Sequence, residues 1–284
     1  MSNNVFNGVF GSPFGSGGGG LRAFDVDVLA WSAAVVGNGG AVSLARLIIA
    51  DQFVYSEKAS GAWALTDDYW PLWGESAIQG LTSLKQRRLA IAVNSPTFVT
   101  DRHYLFDGVS NYIDTGFIPF THGIQMTPNS NRLAIYECTN VSASAYAAGC
   151  LNGTAGRRVR SRTRSGGSAI IENNSTFGAT YTLPVADSRG YTAGSRFSAT
   201  ATDTSAYKNG VLMARTVDAA TVGVTLPTVS VYIGGFNNDG AGLGGTPKAA
   251  SIGFLCLGGA LSAGQELAQY NAVQAWATSI GAQV

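Results

Sequence analysis

The chain has 284 residues, of which 12% are charged, and a formal net charge of +1 at pH 7. So sparse and balanced a charge excludes an electrostatic nucleic-acid binder, which needs a dense basic face. No apolar run nears the roughly 20 residues of a membrane span. Three cysteines, Cys138, Cys150 and Cys256, with no Cys-x-x-Cys pair, argue for buried free thiols over a disulfide framework or a zinc site.

Residues 1–20 form a zone of their own. Phe6, Phe10 and Phe14 recur every fourth residue among Gly, Ser and Asn, and Gly17 to Gly20 follow. Such glycine content opposes a helix. The segment reads as an extended arm whose phenylalanines engage a partner, against the plain alternative of a disordered tail. A phosphate-binding loop fits poorly, because no Lys-Ser/Thr follows the glycines.

Residues 21–96 read as a small helical region. Val26, Leu29, Ala33 and Val36 keep a 3-4-3 spacing after Asp25, a cap residue, and Gly37 ends the run. Ser43 caps a second helix that stops near Ser60-Gly61. Trp63, Tyr69, Trp70 and Trp73 cluster around Thr66-Asp67-Asp68, and a third short helix is expected to carry Leu81 and Leu84 and to end in Lys85, Arg87 and Arg88.

From residue 97 the pattern changes to strands and turns. Val229, Val231 and Ile233 alternate with polar or aromatic neighbours. Asn209-Gly210 between Ala206-Tyr207-Lys208 and Val211-Leu212 predicts a tight hairpin, since both residues accept positive φ. Gly-Gly pairs at 166–167, 234–235 and 244–245 mark further turns. The run closes with a helix. Ser262 and Gln265 stand at capping-box spacing, Leu267, Tyr270, Val273, Ala277 and Ile280 form a stripe, and Gly281 fits a left-handed cap.

Four features in order carry a resemblance. Phe106-Asp107-Gly108 with Asn111-Tyr112-Ile113, then Tyr207-Lys208-Asn209-Gly210, then Val231-Tyr232-Ile233-Gly234-Gly235, then Leu261-Ser262 with Gln265-Glu266 and Tyr270 together resemble concanavalin A-like, laminin-G-type sandwiches. The stretch from Gly61-Ala62-Trp63 to Gln86-Arg87-Arg88 further resembles proteins of tailed-phage structural genes, in which a short helical region leads into such a sandwich. The resemblance spans about residues 25–284. It implies a mostly β, two-sheet jelly-roll sandwich over residues 97–284 with a C-terminal helix, and a virion component made in the bacterial cytoplasm.

Among residues that could carry chemistry, His103 and His122 have no motif around them and read as packing or hydrogen-bonding groups. Asp67-Asp68 reads as a helix cap after Thr66 rather than a glycosidase pair, whose carboxylates must face each other across a bond. Asn237-Asn238-Asp239-Gly240 reads as a Gly-rich turn rather than a calcium loop. Trp63, Trp70 and Trp73 offer flat faces that could stack on sugars, against the plainer role of burying area between the helices and the sandwich. Arg158, Arg160, Arg162 and Arg164 fall on one face if residues 157–164 are extended. That stripe reads either as a dock for an acidic neighbour or polysaccharide, or as a charged edge strand that resists pairing.

The expectation from sequence is therefore a non-enzymatic, peripheral virion protein, either a capsid decoration or a tail, collar or fibre component. It would need no cofactor, metal, nucleic acid or membrane insertion. Its partners would be major capsid or tail proteins and further copies of itself in a homo-oligomer. Phe6, Phe10, Phe14 and the arginine stripe would make those contacts. A glycan-binding adhesin reading a host surface polysaccharide is the alternative, and a glycan-cleaving virion enzyme ranks after it.

Overall fold

The computed structural model describes residues 22–153, 157–175, 181–200, 202–214, 225–245 and 247–284. The arm with Phe6, Phe10 and Phe14 lies outside them. The described chain opens with α1 (Val26–Gly37) and α2 (Leu44–Ser60). Asp25 accepts from the Asp27 N–H at 3.0 Å and Ser43 from the Arg46 N–H at 3.1 Å, so each first turn has one orphan donor satisfied. Gly61, with φ 76°, closes α2, and α3 (Ala62–Leu65) leads into β1 (Thr66–Pro71).

That strand corrects the expectation of a purely helical 21–96 region. A second correction is α4 (Ala77–Leu81), which stops before Leu84, so Lys85, Arg87 and Arg88 lie in a connection and not at a helix end. The chain continues through β2 (Ile91–Val93), β3 (Thr97–Val99), β4 (His103–Leu105), β5 (Tyr112–Asp114), α5 (Pro119–His122) and β6 (Asn131–Glu137). It proceeds through β7 (Ala148–Asn152), β8 (Arg157–Ser165), β9 (Ser168–Asn173), β10 (Tyr181–Pro184), β11 (Gly190–Arg196) and β12 (Thr204–Lys208). The last elements are β13 (Val211–Leu212), β14 (Tyr232–Ile233), β15 (Phe236–Asn238), β16 (Leu243–Gly244), β17 (Ser251–Gly258) and α6 (Ala263–Ser279).

Among the described residues the strands make two sheets, packed as a jelly-roll-like sandwich. The first runs β13-β12-β11-β6-β17-β4-β3, with β1 also paired to β17. The second runs β10-β9-β8-β7-β14-β5-β2, with β15 and β16 attached through β7. The β12–β13 hairpin turns at Asn209 (φ 49°) and Gly210 (φ 74°), the left-handed pair that their types permit.

The central strands of the first sheet, β1, β17, β6 and β11, are buried on both faces, and strand alternation divides their side chains. Leu133 and Ile135 of β6 and Leu255 and Leu257 of β17 meet Ile113, Val159 and Ile233 of the second sheet. Ala134, Tyr136, Phe254 and Cys256 point the other way, onto Val28, Trp31, Phe53, Val273 and Trp276 of the helices. β1 obeys the same rule, with Tyr69 towards the helices and Trp70 between the sheets.

α1 uses a stripe other than the one expected, whereas the expected α6 stripe packs on the core through Tyr270, Val273, Ala277 and Ile280, with Leu267 exposed. In α1 the buried residues are Val28, Trp31 and Val35, while Val26, Leu29, Ala33 and Val36 face outward. In α6 they are Glu266, Gln269, Ala272, Val273, Trp276 and Ala277. The capping box of Ser262 and Gln265 is present, and Gly281 takes φ 67°.

Two polar groups on that buried stripe enter a network beneath the helices. Arg132 of β6 and Glu266 form a fully buried ion pair, with Nε–Oε1 at 2.6 Å and Nη2–Oε2 at 2.9 Å. The guanidinium also donates to Cys256 Sγ at 3.1 Å, to the Tyr191 hydroxyl and to Gln269 Oε1. Gln269 Nε2 donates to Glu57 of α2 at 2.7 Å, and the Tyr69 hydroxyl donates to the same oxygen at 2.8 Å. Burial dominates the Glu57 carboxyl and pushes its pKa up to about 7, although those two hydrogen bonds and Arg132 oppose the rise.

Candidate binding face

The candidate site starts from the alternation in β8. Val159 lies in the core between the sheets, so Arg158, Arg160, Arg162 and Arg164 point out of the sandwich. They emerge on the outer face of the second sheet, whereas α1, α2 and α6 all pack on the first. β8 sits between β7 and β9. It is therefore not a sheet edge, which overturns the reading of a charged edge strand.

Cross-strand register lays out a row across this face: Asp114 of β5, Tyr232 of β14, Gly149 of β7, Arg160 of β8 and Glu172 of β9. Gly149 has φ 145°, and a Cβ there would stand 2.1 Å from the Arg160 Cβ. Only glycine lets Arg160 lie that close to the neighbouring strand. Arg160 ion-pairs with Glu172, its Nη2 3.2 Å from Oε1, and Arg158 reaches the same oxygen at 3.3 Å. The Arg160 guanidinium also sits 4.0 Å from the ring centre of Tyr146 and 4.7 Å from that of Phe236. Planar cation, carboxylate and rings fix one another's orientation.

Farther along the strand the arginines are less buried and less matched. Arg162 donates to the Ser144 hydroxyl at 2.9 Å and lies 5.1 Å from the Tyr146 ring. Arg164 donates to Asn140 Oδ1 at 2.8 Å. Among the described residues neither is paired with a carboxylate. On the opposite flank Tyr112 and Tyr232 stack with ring centres 4.3 Å apart. The face therefore offers excess guanidinium at one end and an aromatic pair at the other.

The other expected groups go elsewhere. Trp70 and Trp73 are fully buried and Trp63 is 8% exposed. Trp63 stacks on Tyr69 at 5.3 Å, Trp70 meets Phe117, and Trp73 stacks on Phe254. As a sugar-stacking surface that cluster is ruled out by burial, and it instead joins the helices to the sheets. Asp67 and Asp68 are also buried, yet neither caps a helix. Asp67 accepts the N–H groups of Ile124, Gln125 and Met126, and Asp68 those of Tyr69, Lys85 and Gln86.

His122 Nδ1 accepts from the Ile118 N–H at 2.8 Å, a local structural bond. His103 lies on β4, where burial lowers its pKa. Asn237 and Asn238 end β15, and Asp239 and Gly240 begin the turn to β16, with Asn237 Oδ1 accepting from the Gly240 N–H at 3.0 Å. Among the described residues no group of three or more His, Cys, Asp or Glu side chains could hold a metal ion.

Sequence reasoning found the arginines and missed Glu172, Tyr146, Tyr112, Tyr232 and Phe236 as their companions. The usable signal was the period of two in Ser168–Asn173, which sets Ile171 inward at 0% exposure and Glu172 outward.

No protein-family model matches the chain, and no curated protein is significantly similar to it. Solved structures with a similar layout include domain 4 of AbnA, a GH43 extracellular arabinanase from Geobacillus stearothermophilus, in complex with arabinotriose. It is 11% identical, covers 72% of this chain and 98% of that one, and scores a TM of 0.41. Trypanosoma rangeli sialidase in complex with sialic acid is 13% identical over 80% of this chain, with a TM-score of 0.43. The alignment takes in 39% of that sialidase. The CBM40 of Ruminococcus gnavus IT-sialidase, bound to α2,3-sialyllactose, is 18% identical over 49% of this chain and 82% of its own, with a TM-score of 0.36.

Proposed function

We propose that this chain is a non-enzymatic binding module that takes an acidic glycan onto the outer face of its second sheet, as a host-recognition adhesin would. The observation that carries the reading is the outward arginine series of β8, of which Arg162 and Arg164 face no carboxylate among the described residues, while Arg158 and Arg160 share Glu172. Guanidinium is suited to carboxylate or sulfate groups because it presents paired donors in a plane. Tyr112, half-buried and stacked on the buried Tyr232 ring, supplies an apolar edge for the ring of a neighbouring sugar.

The spacing of carboxylates supports a role without bond cleavage. Asp114 and Glu172 share the cross-strand row, but four strand intervals at about 4.8 Å separate their strands by roughly 19 Å. Glycoside cleavage by a carboxylate pair needs about 5–9.5 Å. Glu172 is moreover held between two arginines.

The test is titration with acidic and neutral polysaccharides at low salt. Binding of the acidic set, weakened about tenfold in an Arg162→Ala/Arg164→Ala variant, is the expected result. Equal affinity for neutral and acidic polymers, or none for either, overturns the proposal.

A second reading is favoured by the resemblance of residues 61–88 to phage structural proteins. That segment forms the joint between the helices and the sandwich, through Trp63, Trp70 and Trp73. In this reading the module is a peripheral virion component that displays its second sheet outward. Mass spectrometry of purified particles tests it: hundreds of copies mean capsid decoration, a handful mean tail or fibre, and absence from particles removes it.

A further inference from the structure

The outer face of β8 changes character beyond Glu172. Arg158 and Arg160 converge on that one carboxylate. One pleat further along, the place across from Arg162 on β9 belongs to Ile170, which is half-buried and uncharged. Thr163 is fully buried and donates to Glu137, so Arg162 and Arg164 on either side of it turn to the same outer face. Both arginines are only half-buried.

Each of these guanidiniums is held at one end by a neutral acceptor of its own. Arg162 Nη1 donates to the Ser144 hydroxyl at 2.9 Å, and Arg164 Nη1 to Asn140 Oδ1 at 2.8 Å. Both anchors lie in the segment that enters β7. That segment is tied to β8, because the Ala143 N–H donates to the Arg164 carbonyl at 3.1 Å. Asn140 Oδ1 also accepts from the N–H of the buried Ser188 at 3.2 Å. Nη2 of either arginine has no partner among the described residues.

We infer that the acidic glycan carries acid groups on neighbouring sugars, and that Arg162 and Arg164 each take one of them. The inference rests on the acidic-glycan reading of this face and adds the spacing of the ligand. Two steps of strand set the arginines about 7 Å apart. Separate anchors keep their guanidiniums from closing on a single carboxylate, as Arg158 and Arg160 do on Glu172. A polymer with an acid on every sugar can meet both arginines together. One with an acid on every second sugar places its acids a whole ring farther apart and meets one arginine at a time. Ile170, beside Arg162, gives the sugar held there an apolar contact.

The test titrates the full chain with polygalacturonate, which has a carboxylate on every sugar, and with hyaluronan, which has one on every second. Both are compared at low salt and equal carboxylate concentration, for the parent, Arg162→Ala and Arg164→Ala. The parent is expected to bind polygalacturonate about threefold tighter than hyaluronan. Either substitution should erase that preference, weakening polygalacturonate about threefold and leaving hyaluronan nearly unchanged. Equal affinity of the parent for the two polymers overturns the inference and leaves the acidic-glycan reading standing. So does a preference that survives both substitutions, because charge density of the polymer then sets it. A single substitution that weakens both polymers alike also overturns it, because one acid is then shared by the two arginines. Binding of neither polymer removes the acidic-glycan reading, and this inference with it.

Discussion

Two arginine–glutamate clusters flank the first and second sheets, and they differ in balance. Beneath the helices one arginine, Arg132, meets one glutamate, Glu266, and the guanidinium's remaining contacts go to Cys256, Tyr191 and Gln269. On the outer face two arginines share Glu172, while Arg162 and Arg164 rest on a hydroxyl and an amide. The matched, sealed cluster fixes helices to sheet. The unmatched one keeps charge available to a ligand. Arginine count alone does not separate structural from binding roles; the stoichiometry of charge around it does.

Arg132→Met breaks the matched cluster and should cost most, about 3–5 kcal/mol in denaturant unfolding, because Glu266 is left buried without its partner. A loss below 1 kcal/mol would show that the sealed cluster is incidental to docking of α6. Glu172→Gln on the outer face should cost less, about 2 kcal/mol, since Arg158 and Arg160 keep some access to water. Added sulfate should restore stability in that variant and not in Arg132→Met. An equal response in both would erase the distinction between the clusters.

The sealed network should also respond to pH. Glu57 has its folded pKa raised from 4.5 to about 7, chiefly by burial. Its contribution to stability is thus fully present below pH 4.5 and is lost as pH climbs through about 7. Burial also raises Asp68 from 3.8 to about 6, which acts in the same direction. Unfolding between pH 4.5 and 8 should show the fall, and Glu57→Gln should flatten it. A profile that Glu57→Gln leaves unchanged would refute the assignment. The smallest stability effect belongs to the Arg162→Ala/Arg164→Ala variant that weakens acidic-glycan binding, within about 0.5 kcal/mol for each substitution.

Local rules were legible before the structure. The caps at Asp25 and Ser43, the Asn209-Gly210 turn and the Ser262–Gln265 box each depend on a few neighbouring residues, and each stands as read. The mostly β sandwich with flanking helices was legible as well. What was lost lies in non-local choice. Both stripes of α1 are apolar, so periodicity could not say which one meets the sheet. β1 is buried on both faces and shows no alternation, and its length and position between helices hid it.

The site was half legible. Period two placed four arginines together, but strand order decided that β8 is interior, and cross-strand register brought Glu172 and Tyr232 into their row. The tryptophans of residues 63–73 misled because aromatic residues serve cores and sugar platforms equally well, and only burial tells the two apart.

The pairing of β1 with β17 has a consequence in time. β1 is synthesised about 180 residues before the strand it pairs with, and Tyr69 and Trp70 are fully buried in the completed sheet. On the ribosome β1 must wait for its partner until residues 251–258 have emerged. Completion of the first sheet is then a late, long-range closure of the kind that slows folding. A nascent chain halted before residue 251 should accordingly lack the native packing of α1 and α2, however well formed those helices are on their own.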